Sequence, residues 1–137
     1  MYYIKIKMKN SILIIIKKLY YLSLCLLLIL YLFPGSLIGY LLYGDFGRQP
    51  YLILNPIGAS INHLFFFLYL GILGFMFRNY QKKFINSFSF LFIISIILEL
   101  FHVIIPNRAF ELNDLYANSV GVFLAYLLFK IFKKIKR

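Results

Sequence analysis

The sequence predicts an all-α integral membrane bundle of four transmembrane helices, with both termini in the cytoplasm. Three observations carry this. The 137 residues are 63% hydrophobic and 14% charged, whereas a soluble domain is about 25% charged. Four apolar stretches approach the roughly 20 residues that a helix needs to cross the hydrocarbon core. When the chain is threaded through these stretches, thirteen of its fifteen Lys and Arg fall on one side. Such a bias marks cytoplasmic segments.

The elements follow in order. A basic segment, residues 1–18, holds Lys5, Lys7, Lys9, Lys17 and Lys18. The first span covers about residues 19–43. It is too long for a signal-peptide core and lacks a small-x-small cleavage site, so an uncleaved anchor is expected. Pro34 predicts a bend in its outer part. Gly35 and Gly39 have the GxxxG spacing that permits close helix approach. The second span covers about 57–77, with Arg78, Lys82 and Lys83 after it on the inner side. The third covers about 84–105 and ends at Pro106-Asn107. An outer loop with Arg108 and Glu111 leads to the fourth span, about 115–132. The tail, 133–137, is basic again. Residues 19–132 form one domain, and the short connections predict that sequence neighbours are antiparallel neighbours in space.

The formal charge of +11 sits beside apolar segments. It points to topology and anionic lipid headgroups rather than nucleic acid. Cys25 is alone, so no internal disulfide framework is expected. No Gly-rich phosphate loop and no HExxH is present. Ser60, Ser119 and Tyr116 lie near the outer face without a nucleophile motif around them. Glu99-Leu-Phe-His102 has the E-x-x-H spacing of di-iron bundles, but those need a second such motif and more carboxylates. The expectation is no catalytic residue, no metal and no cofactor.

Polar residues concentrate at one place. Three of the four acids lie in "ELFHVIIPNRAFELNDLYANSVG", residues 99–121. At 1.5 Å per residue, Glu99 stands about 22 Å along the third helix, in the outer third of the membrane. Ser95, Glu99, His102 and Pro106 share one helical face. Asp114, Asn118, Gly121 and Ala125 share another, polar outside and small further in. Asn62 and His63 mark the outer end of the second helix, with Phe67, Gly71 and Gly74 below. The candidate ligand-binding set is therefore Asn62, His63, Glu99, His102, Arg108, Asp114 and Asn118. An ionisable group within a bilayer costs several kcal/mol by most estimates, so Glu99 should face the interior. Arg108, His102 or His63 is its expected partner, or it is held protonated by burial. Asp114 is expected as an N-cap or first-turn acid.

Glu99, His102, Pro106, Arg108, Asp114, Ala117, Asn118 and Gly121 form the pattern E-x-x-[polar]-x-x-x-P-x-R-x-[apolar]-x-x-x-D-[apolar]-x-A-N-x-x-G. It resembles the VanZ-like family of small multi-helix bacterial membrane proteins. "INHLFFFLYLGILGFM" is similar to the family's second helix, through His63 and Gly71. The resemblance covers about residues 57–132. Two departures stand out. Many members have Gln where this chain has His102, and an Asp-Lys pair where it has Ala59-Ser60. The family's name-giving member is linked to low-level teicoplanin resistance, so the resemblance implies that link here.

These features lead to the expectation of a non-enzymatic, multi-pass protein of the bacterial plasma membrane. Its partners are the bilayer and an amphiphilic or lipid-linked ligand on the outer face; no oligomeric state is specified. The ligand would be a lipid headgroup, an envelope precursor or a glycopeptide-type amphiphile. The alternatives are a small membrane enzyme using a carboxylate–His pair on an envelope lipid, a proton-coupled transport subunit, and a structural partner of a larger complex.

Overall fold

The structure is a computed structural model; it describes residues 2–50 and 58–135, with side chains from 11–50 and 60–135. All regular elements among the described residues are helices, with no strand. The helices are α1 (Tyr2–Leu32), α2 (Leu37–Tyr43), α3 (Gly58–Tyr80), α4 (Phe88–Phe101) and α5 (Leu112–Ile135). A 3-10 turn, Phe84–Asn86, precedes α4. Three segments are long and apolar enough to cross a membrane: Ser11–Leu32, Ser60–Tyr80 and Leu112–Ile135.

The expected first span is two elements. The apolar segment starts earlier, at Ser11, and α1 stops at Leu32. Pro34 has no N–H to continue the ladder, and Gly35 takes a left-handed φ of 89° that side chains other than glycine rarely adopt. Pro34 thus ends the helix rather than bending it. Ser36 then caps α2, its Oγ accepting from the Gly39 N–H at 2.9 Å. The Gly35/Gly39 pair does not serve a helix–helix contact. A Cβ at Gly35 would lie 2.9 Å from the Phe46 carbonyl oxygen, and one at Gly39 would collide with that of Arg48. Both glycines let the loop after α2 fold back onto it.

The second and fourth expected spans agree with α3 and α5 within a few residues, although Ile57, the expected start of the second, lies outside the described residues. The third expected span is longer than α4. Ser87 caps α4 through Oγ to the Phe90 N–H, 3.1 Å. Proline at position 106 would clash with the carbonyl four residues back, at His102, so the α-helix closes at Phe101. Residues 102–104 continue as tight turns, their N–H groups bonding Glu99, Leu100 and Phe101 carbonyls at 3.0–3.1 Å. α4 alone has 14 residues, about 21 Å.

Contacts fix the helix directions. Tyr31 of α1 meets His63 and Ser23 meets Tyr69, while Tyr20 packs on Phe77, so α1 and α3 are antiparallel. Phe88 meets Tyr126 and the Ser95 carbonyl meets Asn118, so α4 and α5 are antiparallel. The most extensive interface is between α3 and α5, which are not neighbours in sequence and run parallel. Its register reads His63 to Asn118, Gly71 to Ala125 and Phe75 to Phe129. Small residues permit it: a Cβ at Gly121 would lie 2.5 Å from the Leu64 carbonyl oxygen.

The core, including Tyr20, Leu27, Phe67, Leu70, Phe77, Leu91, Leu98 and Val122, fills the space between these helices. The outside is also apolar: Leu22, Leu41, Val103, Ile104 and Phe132 are each more than 60% exposed. So much exposed apolar surface suits lipid rather than water. At one end, Arg78, Lys130, Lys133 and Lys134 line a groove of about 800 Å3. The buried acids lie at the other end.

Candidate functional site

Glu99 is fully buried on α4. Its two oxygens are held from different directions. Oε1 is 3.2 Å from His102 Nδ1 and accepts from the Glu111 backbone N–H at 3.4 Å. Oε2 accepts from Asn118 Nδ2 at 3.2 Å and lies 3.9 Å from His63 Nδ1. Asn118 is the hub: its Nδ2 also donates to the Ser95 carbonyl at 3.3 Å. Its Oδ1 accepts from Tyr31 OH at 2.8 Å and stands 3.2 Å from His63 Nδ1.

Asp114 is in the first turn of α5 but is not a cap. Its carboxylate points sideways, where Ser60 Oγ donates to Oδ1 at 2.6 Å and His63 Nε2 lies 3.6 Å from Oδ2. Ser60 thus sets a neutral donor against this carboxylate. Because the Ser60 hydroxyl is turned to an acid and not to an imidazole, this is not the Ser–His pairing of an activated nucleophile.

Of the expected set, His63, Glu99, Asp114 and Asn118 form one network, which His102 joins through Glu99. Arg108 is not the partner of Glu99. Its Nη2 donates to the Leu30 carbonyl at 2.6 Å and its Nε to that of Phe33 at 3.3 Å. The reason is local to α1. The Leu30 carbonyl would normally accept from the N–H four residues on, and that residue is Pro34. Arg108 supplies the missing donor. Burial lowers its pKa, while Tyr31 and Glu99 oppose the shift. Arg108→Met should therefore leave two carbonyls without this donor and lower stability by about 1–3 kcal/mol. Thermal unfolding of detergent-purified protein measures it; an unchanged midpoint would remove Arg108 from this role.

Asn62 is apart from the acids, its Nδ2 donating to the Pro50 carbonyl at 2.6 Å. With Tyr31, His63, His102 and Arg108 it lines a cavity of about 120 Å3. Two buried polar atoms have no hydrogen-bond partner among the described residues: Asn62 Oδ1 and His102 Nε2. Both belong to residues of this cavity wall.

Sequence reasoning missed Tyr31, Ser60 and the Ser95 carbonyl as partners. Tyr31 is 8% exposed, bonds Asn118 and His63, and stacks on His102 with ring centres 5.3 Å apart. A signal existed: Tyr20, Leu24, Leu27 and Tyr31 follow helical spacing and form the buried stripe of α1. A tyrosine ending such a stripe brings a hydroxyl to the end of the bundle.

Long apolar helices closed at one end by a buried polar network define a small helical membrane protein. The VanZ/LLP1 family model matches residues 18–133, and the chain belongs to that family. No curated protein and no solved structure matches it.

Proposed function

We propose that this is a multi-pass cell-envelope protein that holds the polar head of an amphiphile at its outer end without transforming it. The head would belong to a lipid, an envelope precursor or a glycopeptide-type antibiotic. The carrying observation is the cavity beside the network, with Asn62 Oδ1 and His102 Nε2 buried and unpartnered. Buried polar groups are normally bonded, so this pair suits a polar guest. Size limits that guest. Drug-sized pockets are about 300–1,000 Å3, so about 120 Å3 admits a head group, with the rest of the amphiphile outside.

Four crossings with both termini cytoplasmic is the topology we favour. Because α3 and α5 run parallel, the chain must return between them, and α4 with its flanking turns does so. Ile85 takes the Tyr20 hydroxyl at one end and His102 stacks on Tyr31 at the other. Residues 84–105 provide the length that α4 lacks, and Phe84, Val103 and Ile104 are exposed and apolar. In a Cys25→Ser background, Glu111→Cys should react with impermeant maleimide on intact cells and Lys134→Cys only after lysis. The reverse pattern would invert the topology.

In bacterial cells, expression should reduce association of a teicoplanin-class lipoglycopeptide and raise the inhibitory concentration severalfold. Asn62→Leu should abolish the effect at equal expression. Equal drug association with and without the protein would defeat the resistance version.

A further inference from the structure

We propose that His63, Glu99 and Asp114 bind a divalent transition-metal cation of the Zn2+ class, one ligand from each of α3, α4 and α5. One ligand atom from each lies within 4.8 Å of the other two. Groups at about 2.0–2.2 Å from a single ion stand roughly 3–4.4 Å apart. His63 Nε2 is 3.6 Å from Asp114 Oδ2, too long for a hydrogen bond and suited to groups sharing an ion; the 3.9 Å approach of Glu99 is to the other ring nitrogen, Nδ1.

Hydrogen-bond accounting supplies an independent reason. Asn118 Nδ2 donates to the Ser95 carbonyl and to Glu99, so Asn118 Oδ1 is an acceptor. The Tyr31 hydroxyl has one hydrogen, and it goes to that oxygen at 2.8 Å. The Tyr31–His63 contact of 2.6 Å then needs the hydrogen on His63 Nδ1. In neutral imidazole this leaves Nε2 with its lone pair, facing the Asp114 carboxylate at 3.6 Å. Two acceptors face each other across a gap, and a cation resolves the conflict.

Charge and orientation agree. Glu99 and Asp114 are 0% and 4% exposed, and among the described residues their ion-pair contacts are with histidines only. A divalent ion balances two buried carboxylates. Each ligand is buttressed at another atom, as metal ligands are: His63 Nδ1 by Tyr31, Asp114 Oδ1 by Ser60, Glu99 Oε1 by His102 and the Glu111 N–H. Imidazole with carboxylates suits Zn2+ among available ions. Three protein ligands leave a position for water. The E-x-x-H motif is not the site, because His102 supports Glu99 and is outside the ligand set.

The test uses full-length protein in detergent, stripped with chelator and without any amphiphile. Titration with Zn2+ should saturate near one ion per chain and raise the melting temperature. Co2+ should give ligand-field bands of nitrogen and oxygen coordination. His63→Ala and Asp114→Asn should each weaken Zn2+ binding by more than roughly a hundredfold, and His102→Gln by about tenfold, as for an outer-shell partner. Asp114→Asn keeps an acceptor for Ser60, so its unfolding curve without metal checks that it folds. No saturable Zn2+ or Co2+ binding would overturn the proposal. So would ligand variants that bind like the parent, or a His102→Gln loss matching His63→Ala. The head-group reading is separate: amphiphile binding to the stripped protein can succeed or fail whatever the metal result.

Discussion

Gly121→Leu should lower the stability of the purified protein by about 3 kcal/mol, at the upper end of what overpacking usually costs. The first added atom already meets backbone. A Cβ there would be 2.5 Å from the Leu64 carbonyl oxygen and 3.0 Å from Leu68 N and Phe67 Cβ. Side chains can rotate away, but these backbone atoms move only if α3 moves. α3 and α5 share the largest interface in the bundle, so the strain falls where there is most contact to lose. Gly121→Ala should follow in the same direction with a smaller loss. Val120→Leu, at a 42% exposed position on the next residue, should leave the melting midpoint unchanged. Thermal unfolding by circular dichroism in mild detergent reads all three. A Gly121→Leu protein that melts with the parent would mean that α3 and α5 do not meet at this register.

That interface shows what the sequence could and could not disclose. Apolar length revealed α3 and α5 nearly to their ends, and helical phase placed Asn118, Gly121 and Ala125 on one face. Phase says which residues share a face, not which face meets it. Short connections favoured sequential pairing, whereas the deepest contact joins two parallel helices with α4 between them in sequence. The α1–α2 break is legible as Pro34-Gly35, but proline alone permits either a bend or a stop, and the left-handed Gly35 decides it. Charge alone offers Arg108, His102 and His63 as partners for Glu99, and the two histidines, not Arg108, stand beside it. The partners of Arg108 are main-chain carbonyls, which residue identity does not display; only Pro34 hinted that one of them lacked a donor. Among the polar residues, those facing one another across helices were legible by type, but Tyr31 was hidden as one more aromatic in an apolar run.

Asn118→Asp isolates the electrical demands of the network. The substitution changes almost no volume, so packing is preserved. The new oxygen cannot donate to the Ser95 carbonyl or to Glu99 Oε2, and at neutral pH it adds a negative charge about 3.2 Å from that carboxylate, at a fully buried position. Leaving a buried charge uncompensated costs about 3–5 kcal/mol, and that loss is expected near pH 8 in chelator-treated protein. Asn118→Leu removes the same donors and adds no charge, and it also leaves the Tyr31 hydroxyl hydrogen without Asn118 Oδ1. It should destabilise by about 1–3 kcal/mol, less than Asn118→Asp. Melting curves of both variants against the parent separate charge from lost hydrogen bonds. Equal losses for the two variants would show that residue 118 does not face Glu99 in the folded protein.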